Sequence, residues 1–570
     1  TEPRGIVQKG VAVKAGKDYV GRIVLQGNPA ATVSVSLVWG DGAANRRTVK
    51  LPPFAGSGWI THKFRFAAPT ASTVSARFEI SGTGQGAFRV GAVSLMPADN
   101  IKGFRREVVT ALASLHSGIY RFPGGNFVSG PFEWRETVGD PDTRPPRWDP
   151  VWSALQPNDF GVDEFMDLCG LLGVDPYITV NAGFGDAYSA AEQVEYANGA
   201  VTTPMGRLRA ANGHPKPYGI KYWGIGNEMW GDWQFGYMKL DQWIWKQGQF
   251  AREMRKVDPT IKLVGSGAMP DAMTGSGMAQ RLTGKVLAEP MGPVDWSGQL
   301  LLRSANDFEI LSQHFYVYGN THYDLEQGKQ VPDDPNLSPV EWARKPANMM
   351  RVASEHFHTY LEKIPAVSQR HITVALDEWA YSGGGPGSFK VVPALSWALN
   401  EMTRHSDVFT MGAFTFAGST LASSRTDAML NPVGLMFQLY QGHFGRIPLA
   451  VGGSSPQPER TKPVGMETPN VNAGSPTYPI DVAAALSADG KTLTVAVVNP
   501  GEAAQTLKLD VKGLSLAGAG KVWRMAPGSF TAANLVGREP QVKIVEADAG
   551  DATALAIPGI SVAVYNFPVR

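Results

Sequence analysis

A single cysteine in 570 residues excludes an internal disulfide framework. Cys169 lies in FMDLCGLLG, a helical apolar face, where a buried structural thiol is expected rather than a nucleophile. Long apolar runs are missing as well: no stretch reaches the roughly 18 uncharged apolar residues of a membrane span. So is an excess of one charge, because the formal net charge is +1 and no basic run occurs. Nucleic acid and anionic membrane surfaces are therefore not expected as partners, and a neutral partner fits better. No repeat of solenoid period is visible. The His-x-His spacing of His356 and His358 in EHFHTY falls on a helical segment and points the two rings apart, so no metal is expected there, and no cofactor is implied elsewhere. The start TEPRGIVQKG carries no signal-peptide pattern. A secreted or periplasmic location is expected, with a cytoplasmic one left open, and a homo-oligomer is an open option.

What the chain does have is length and aromatic surface. At 570 residues it exceeds one ordinary core, so two or three domains are expected. Its 15 Trp and 16 Tyr supply flat apolar faces suited to sugar rings as well as to core filling. Residues 1–98 read as short alternating strands (VAVKAG, YVGRIVLQG, TVSVSLVWG, ITHKFRFAA, VSARFEISG, FRVGAVSLM) and predict an antiparallel β-sandwich. This module is either carbohydrate-binding, with Trp39 or Trp59 as its platform, or structural, with those rings in its core.

Over 99–446 strand signals alternate with helix signals, which predicts an α/β domain, a (β/α)8 TIM barrel. The expected strand ends are IYRFPGG (119–125), YITVNAG (177–183), YWGIGNE (222–228), KLVGSG (262–267), ILSQHFY (310–316), ITVALDEW (372–379) and FTMGAFTF (409–416). Seven are found where closure needs eight. A Gly/Pro/Ser-rich connection between Gly452 and Pro479 lies within 447–570, whose alternating strands predict a second β-sandwich.

Two Trp-flanked glutamates, Glu228 in YWGIGNEMWGDW and Glu378 in ITVALDEWAY, each close a β-branched or aromatic run. Carboxylates at the C-terminal ends of barrel strands lie where such folds do chemistry. Hydrolysing an acetal needs one carboxyl held protonated for the leaving oxygen and one held ionised. The alternative is a pair of ordinary strand-end charges. Asn227 and Asp377 precede them, and Trp230, Trp233 and Trp379 follow, which weighs against coincidence.

RFPGGNFVSG (121–130), WGIGNEMWGDWQ (223–234), SQHFY (312–316) and LDEW (376–379) together resemble glycoside hydrolase family 51, best known for α-L-arabinofuranosidases. The resemblance runs from the first domain to the end. It implies Glu228 as acid/base, Glu378 as nucleophile, and Asn126, Asn227 and Tyr316 as sugar- or nucleophile-binding groups. Arg121 is then either a charge partner for a carboxylate at the floor of the site or a structural ion pair at the barrel rim. His314 either tunes the acid/base or is a satisfied strand-end histidine, and Trp230 is expected at the sugar site. The family also carries a barrel strand with an active-site Glu upstream of a module of this kind, so a further N-terminal segment or a second chain is expected to complete the barrel. It commonly has a Trp after the nucleophile, where this chain reads AYSGGGPG, and a Gln on the eighth strand, where it reads FTFAGS.

The implied function is a retaining exo-glycosidase removing terminal α-L-arabinofuranosyl residues from polysaccharide side chains or oligosaccharides. The rivals are a family relative acting on another furanoside, an endo-acting β-glucanase or xylanase, and, from another class, an inactive carbohydrate-binding protein.

Overall fold

The computed structural model describes residues 3–54, 56–269, 289–324, 329–385, 387–415, 419–460 and 469–570. The chain forms two compact units. One comprises Thr1–Ala113 with Gly139–Pro145 and Ser423–Met429, and the other comprises the remainder.

The smaller unit is a β-sandwich. Its four-stranded sheet runs Arg4–Val13, Thr73–Gly84, Ala31–Val38, Arg46–Lys50, and its three-stranded sheet runs Ile60–Phe66, Tyr19–Gly27, Phe88–Pro97. Period-2 alternation turns Ile23, Leu25, Val35, Leu37, Phe64 and Phe78 into one core. Trp39 belongs to that core and donates from Nε1 to Thr70 Oγ1 at 3.2 Å, so it offers no platform. Trp59 is 52% exposed, and a methyl group built on Gly91 would stand 3.0 Å from its ring. Only a glycine there lets the indole lie flat on the strand.

The larger unit is built on seven parallel strands in the order Ile119–Phe122, Asp175–Val180, Tyr222–Ile225, Lys262–Ser266, Ile310–Tyr318, Thr373–Ser382 and Phe409–Phe414. Each strand sends one residue to a common interior layer: Ile119, Tyr177, Tyr222, Val264, Ile310, Ala375 and Met411. Such a layer is what fills a (β/α) barrel. Helices such as Val162–Leu172, Leu240–Val257 and Val391–Arg404 cross over between successive strands. Cys169 is buried in the first of these, where burial pushes its thiol up to about 12.

Among the described residues the first and last barrel strands, Ile119–Phe122 and Phe409–Phe414, do not pair with one another, so the sheet has an open seam. The expected last strand ran to Phe416; Phe416, Ala417 and Gly418 lie outside the described residues, as do Pro386 of AYSGGGPG and 461–468 of the long connection.

At the C-terminal end a six-stranded antiparallel sheet runs Ile447–Leu449, Asp481–Leu486, Thr492–Asn499, Ser561–Pro568, Lys521–Met525, Val545–Asp548. A strand pair, Gln505–Leu507 with Leu555–Ile557, packs with it around Val482, Val495, Val497 and Tyr565.

Candidate active site

Glu378 sits within the strand Thr373–Ser382, in register with His314 of the neighbouring strand. The three steps from Ala375 to Glu378 face only two from Ser312 to His314, a β-bulge. One extra residue breaks the alternation of faces, so Asp377 and Glu378, consecutive in sequence, both reach the same polar cluster. Asp377 is buried and accepts hydrogen bonds from Tyr177 Oη (2.8 Å) and Ser312 Oγ (2.7 Å), with Arg121 Nε at 3.4 Å. Glu378 Oε1 accepts from Arg121 Nη1 at 2.6 Å, and Oε2 accepts from Tyr316 Oη at 2.8 Å. Burial alone would raise the Glu378 carboxyl. The charges of His314 and Arg121, with the hydrogen bonds from Arg121 and Tyr316, outweigh it and hold the group at about 2. It is therefore ionised at any working pH, as a nucleophile must be.

Arg121 is the hub of the floor. Its Nη2 donates to Asn227 Oδ1 at 2.7 Å, and its carboxylate neighbours Asp377 and Glu378 outweigh the effect of burial and keep it charged. The Pro-Gly-Gly turn after it needs its glycines. Gly124 and Gly125 have φ of 64° and 59°, and a methyl group on Gly124 would stand 2.6 Å from Arg121 Nη1. The turn brings Gly125 N to Asn227 Oδ1 (3.1 Å) and puts Asn126 on the cavity wall. With both of those donors on its Oδ1, the buried Asn227 amide nitrogen has no partner among the described residues and is a donor set beside the two glutamates.

Glu228 lies just beyond the strand Tyr222–Ile225, with φ of 47°. Its Oε2 accepts from Trp233 Nε1 (2.8 Å) and Gln234 Nε2 (2.7 Å), and its Oε1 meets His314 Nδ1 at 2.9 Å. His314 Nδ1 is also 3.5 Å from Glu378 Oε2. Oxygens of the two glutamates and the His314 nitrogen all lie within 4.8 Å of one another. His314 is buried, which alone would lower it. The charge of Glu378, the hydrogen bond and charge of Glu228, and Asp377 raise it to about 9.

The sign follows from a folded value above the ordinary 6.5. The stability His314 contributes is complete below about pH 6.5 and is lost as pH rises through about 9. The midpoint of thermal unfolding is expected to fall across that window, and a His314→Asn variant is expected to have a flatter profile. Parallel profiles for the two proteins would show that His314 is not charged in the folded state.

Every residue expected at the site is thus in one cluster except Trp230. Trp230 is buried, donates from Nε1 to Gly267 O at 3.0 Å and meets the Trp233 ring edge to face, while Trp233 lines the cavity. Sequence reasoning passed over Gln234 as a contributor and named Trp233 and Asp377 only as flanks of the glutamates, without a role. Asp377 could have been found, because a carboxylate inside an otherwise buried apolar strand must be paired. The cavity holds about 1270 Å³, somewhat above the roughly 300–1,000 Å³ of ordinary small-molecule pockets. It continues from Asn227, Glu228 and Glu378 down between the two edge strands of the seam, past Tyr120 and Met411. His356 and His358 are apart from it: His358 Nε2 bonds Asp407 at 2.7 Å, and His356 Nε2 faces Asp295 at 3.7 Å.

A parallel barrel with two carboxyl groups close together at its mouth has the layout that hydrolysis of a glycosidic bond requires. Residues 111–291 match the family model "Alpha-L-arabinofuranosidase 1 domain". A probable α-L-arabinofuranosidase C of Aspergillus fumigatus is 37% identical over 227 residues, covering 40% of this chain and 43% of that protein. An intracellular exo-α-(1→5)-L-arabinofuranosidase 1 of Bacillus subtilis is 33% identical over 229 residues, covering 40% and 42%. The chain thus spans less than half the length of these relatives. The crystal structure of an α-L-arabinofuranosidase from Thermotoga maritima in complex with arabinose aligns with a TM-score of 0.68 at 26% identity, over 82% of this chain and 90% of that one.

Proposed function

We propose that the chain is a retaining, exo-acting α-L-arabinofuranosidase that removes terminal arabinofuranosyl groups from polysaccharide side chains or oligosaccharides. The observation that carries this reading is the approach of Glu228 and Glu378 oxygens to within 4.8 Å. Retaining enzymes hold their carboxyls about 5 Å apart, while inverting ones leave more than about 6.5 Å for water. Glu378 attacks the anomeric carbon while Glu228 protonates the leaving oxygen; Glu228 then deprotonates the water that releases the sugar. Asn126 and the unpartnered amide of Asn227 bind furanose hydroxyls. The choice of sugar and the exo action draw on the names of the Aspergillus and Bacillus relatives.

Turnover of a panel of 4-nitrophenyl furanosides and pyranosides tests it, with the first-formed anomer followed by NMR. The α-L-arabinofuranoside is expected to be the best substrate and to give the retained anomer. A faster pyranoside would reject the sugar, and an inverted product would reject the double displacement.

Two further proposals concern partners. An extended polypeptide segment is proposed to pair with the free edges of Ile119–Phe122 and Phe409–Phe414, because unpaired edges beside a wide cavity invite a strand. Denaturing mass spectrometry of active protein is expected to reveal such a segment; full activity from residues 1–570 alone would count against it. Residues 1–98 are proposed to bind carbohydrate through the exposed Trp59, so Trp59→Ala is expected to lower binding to insoluble polysaccharide while leaving retardation by soluble polymers in place.

A further inference from the structure

The loop that carries Glu228 goes on to expose a series of aromatic rings that the hydrolytic chemistry does not use. Trp233, which bonds Glu228 and lines the cavity, is followed by Phe235 and Tyr237, each 52% exposed. Between them, Gly236 packs on the neighbouring βα loop. Its N–H donates to Ser129 O at 2.7 Å, and a methyl group there would stand 2.5 Å from Gly183 Cα. That contact of two glycines brings Phe184 beside the pair. Lys246 Nζ donates to Gly183 O at 2.7 Å and so ties the helix Leu240–Val257 to the same point, with its neighbour Trp245 69% exposed.

The composition of this surface selects its occupant. The large apolar side chains exposed here are all aromatic, with no aliphatic among them. Charged side chains border the strip: Asp232 and Lys239 are exposed, Asp241 pairs with Arg303 at 2.6 Å, and Lys246 donates to Gly183 O. Separate flat rings suit the apolar faces of successive sugar rings, and Trp233 makes the strip continuous with the cavity. The series also begins at Glu228, the residue that serves the leaving oxygen.

We propose that Trp233, Phe235, Tyr237, Phe184 and Trp245 form an aromatic strip that binds the glycan chain on the leaving-group side of the scissile bond, a proposal that rests on the arabinofuranosidase reading above. The strip holds the polymer while one terminal furanose occupies the cavity.

The test is the combined variant Phe235→Ala, Tyr237→Ala, Trp245→Ala in the full chain. Its kcat/KM for 4-nitrophenyl α-L-arabinofuranoside is expected to stay within about twofold of the parent. For soluble arabinan or arabinoxylan it is expected to fall roughly tenfold or more through KM. Retardation of the protein in native gels containing these polymers should be lost, with single Trp245→Ala giving a partial loss. Retardation of a Glu378→Ala protein judges the strip even if the aryl furanoside is not a substrate, an outcome that would sink the functional reading alone. The strip is overturned if neither polymer retards the unsubstituted chain, if polymer kinetics and retardation survive the triple change, or if Trp59→Ala alone removes retardation. Conversion of an oligomer to a monomer by the triple variant, seen by sedimentation, would overturn it in favour of a contact with a second copy.

Discussion

Replacing Glu378 by alanine is expected to lower kcat on every substrate by about four orders of magnitude or more, because without its carboxylate no glycosyl-enzyme can form. The side chain is held for attack: Arg121 fixes one oxygen, Tyr316 fixes the other, and the nearby charge of His314 helps keep the group ionised. The fold should tolerate the loss, since Arg121 retains Asp377 and Asn227 as partners. Steady-state kinetics with circular dichroism as a control for folding would check both points. Near-normal hydrolysis by a well-folded variant would reject Glu378 as nucleophile.

Glu228→Ala should behave differently on different leaving groups. A 4-nitrophenolate departs without acid help, so the first step should slow little and the glycosyl-enzyme should accumulate, while an alkyl or sugar leaving group should slow by about two to four orders of magnitude. Azide should restore turnover of the aryl substrate by attacking the intermediate and giving a glycosyl azide. Quenched intact-mass measurements should find the sugar attached to the peptide that contains Glu378. Equal losses on both substrate classes, with no response to azide, would remove Glu228 from the acid/base role.

Two of the motifs were legible because they join an apolar run to a turn that only a few residue types can make, whereas Glu378, expected to close its run, lies inside a strand that continues to Ser382. Tyr222–Ile225 ends where Gly226 reverses the chain, and Ile119–Phe122 ends at Pro-Gly-Gly. All seven expected barrel strands lie where their hydrophobic runs put them. What stayed hidden depends on register and orientation. The bulge before Glu378 leaves no mark in composition, yet it turns Asp377 into the same cluster. In the irregular loop after Glu228 no period says which indole faces the sugar, and Trp230 was chosen where Trp233 lines the cavity. The edge strand Arg46–Lys50, RRTVK, was missed because its charged residues face outward and leave too few apolar positions to show alternation. The open seam was expected from a count of strands, but the depth of the cavity along it depends on side chains from both edges.

The backbone at Glu228 has a consequence for any attempt to evolve this protein. With φ of 47° it occupies a region that glycine enters freely and that a side chain with a Cβ enters at a cost of about 1 kcal/mol or more. Glycine at position 228 would relieve that cost but strip Trp233 Nε1, Gln234 Nε2 and His314 Nδ1 of the carboxylate they bond, so a library screened for survival of heating is expected to keep the side chain and its strained backbone together.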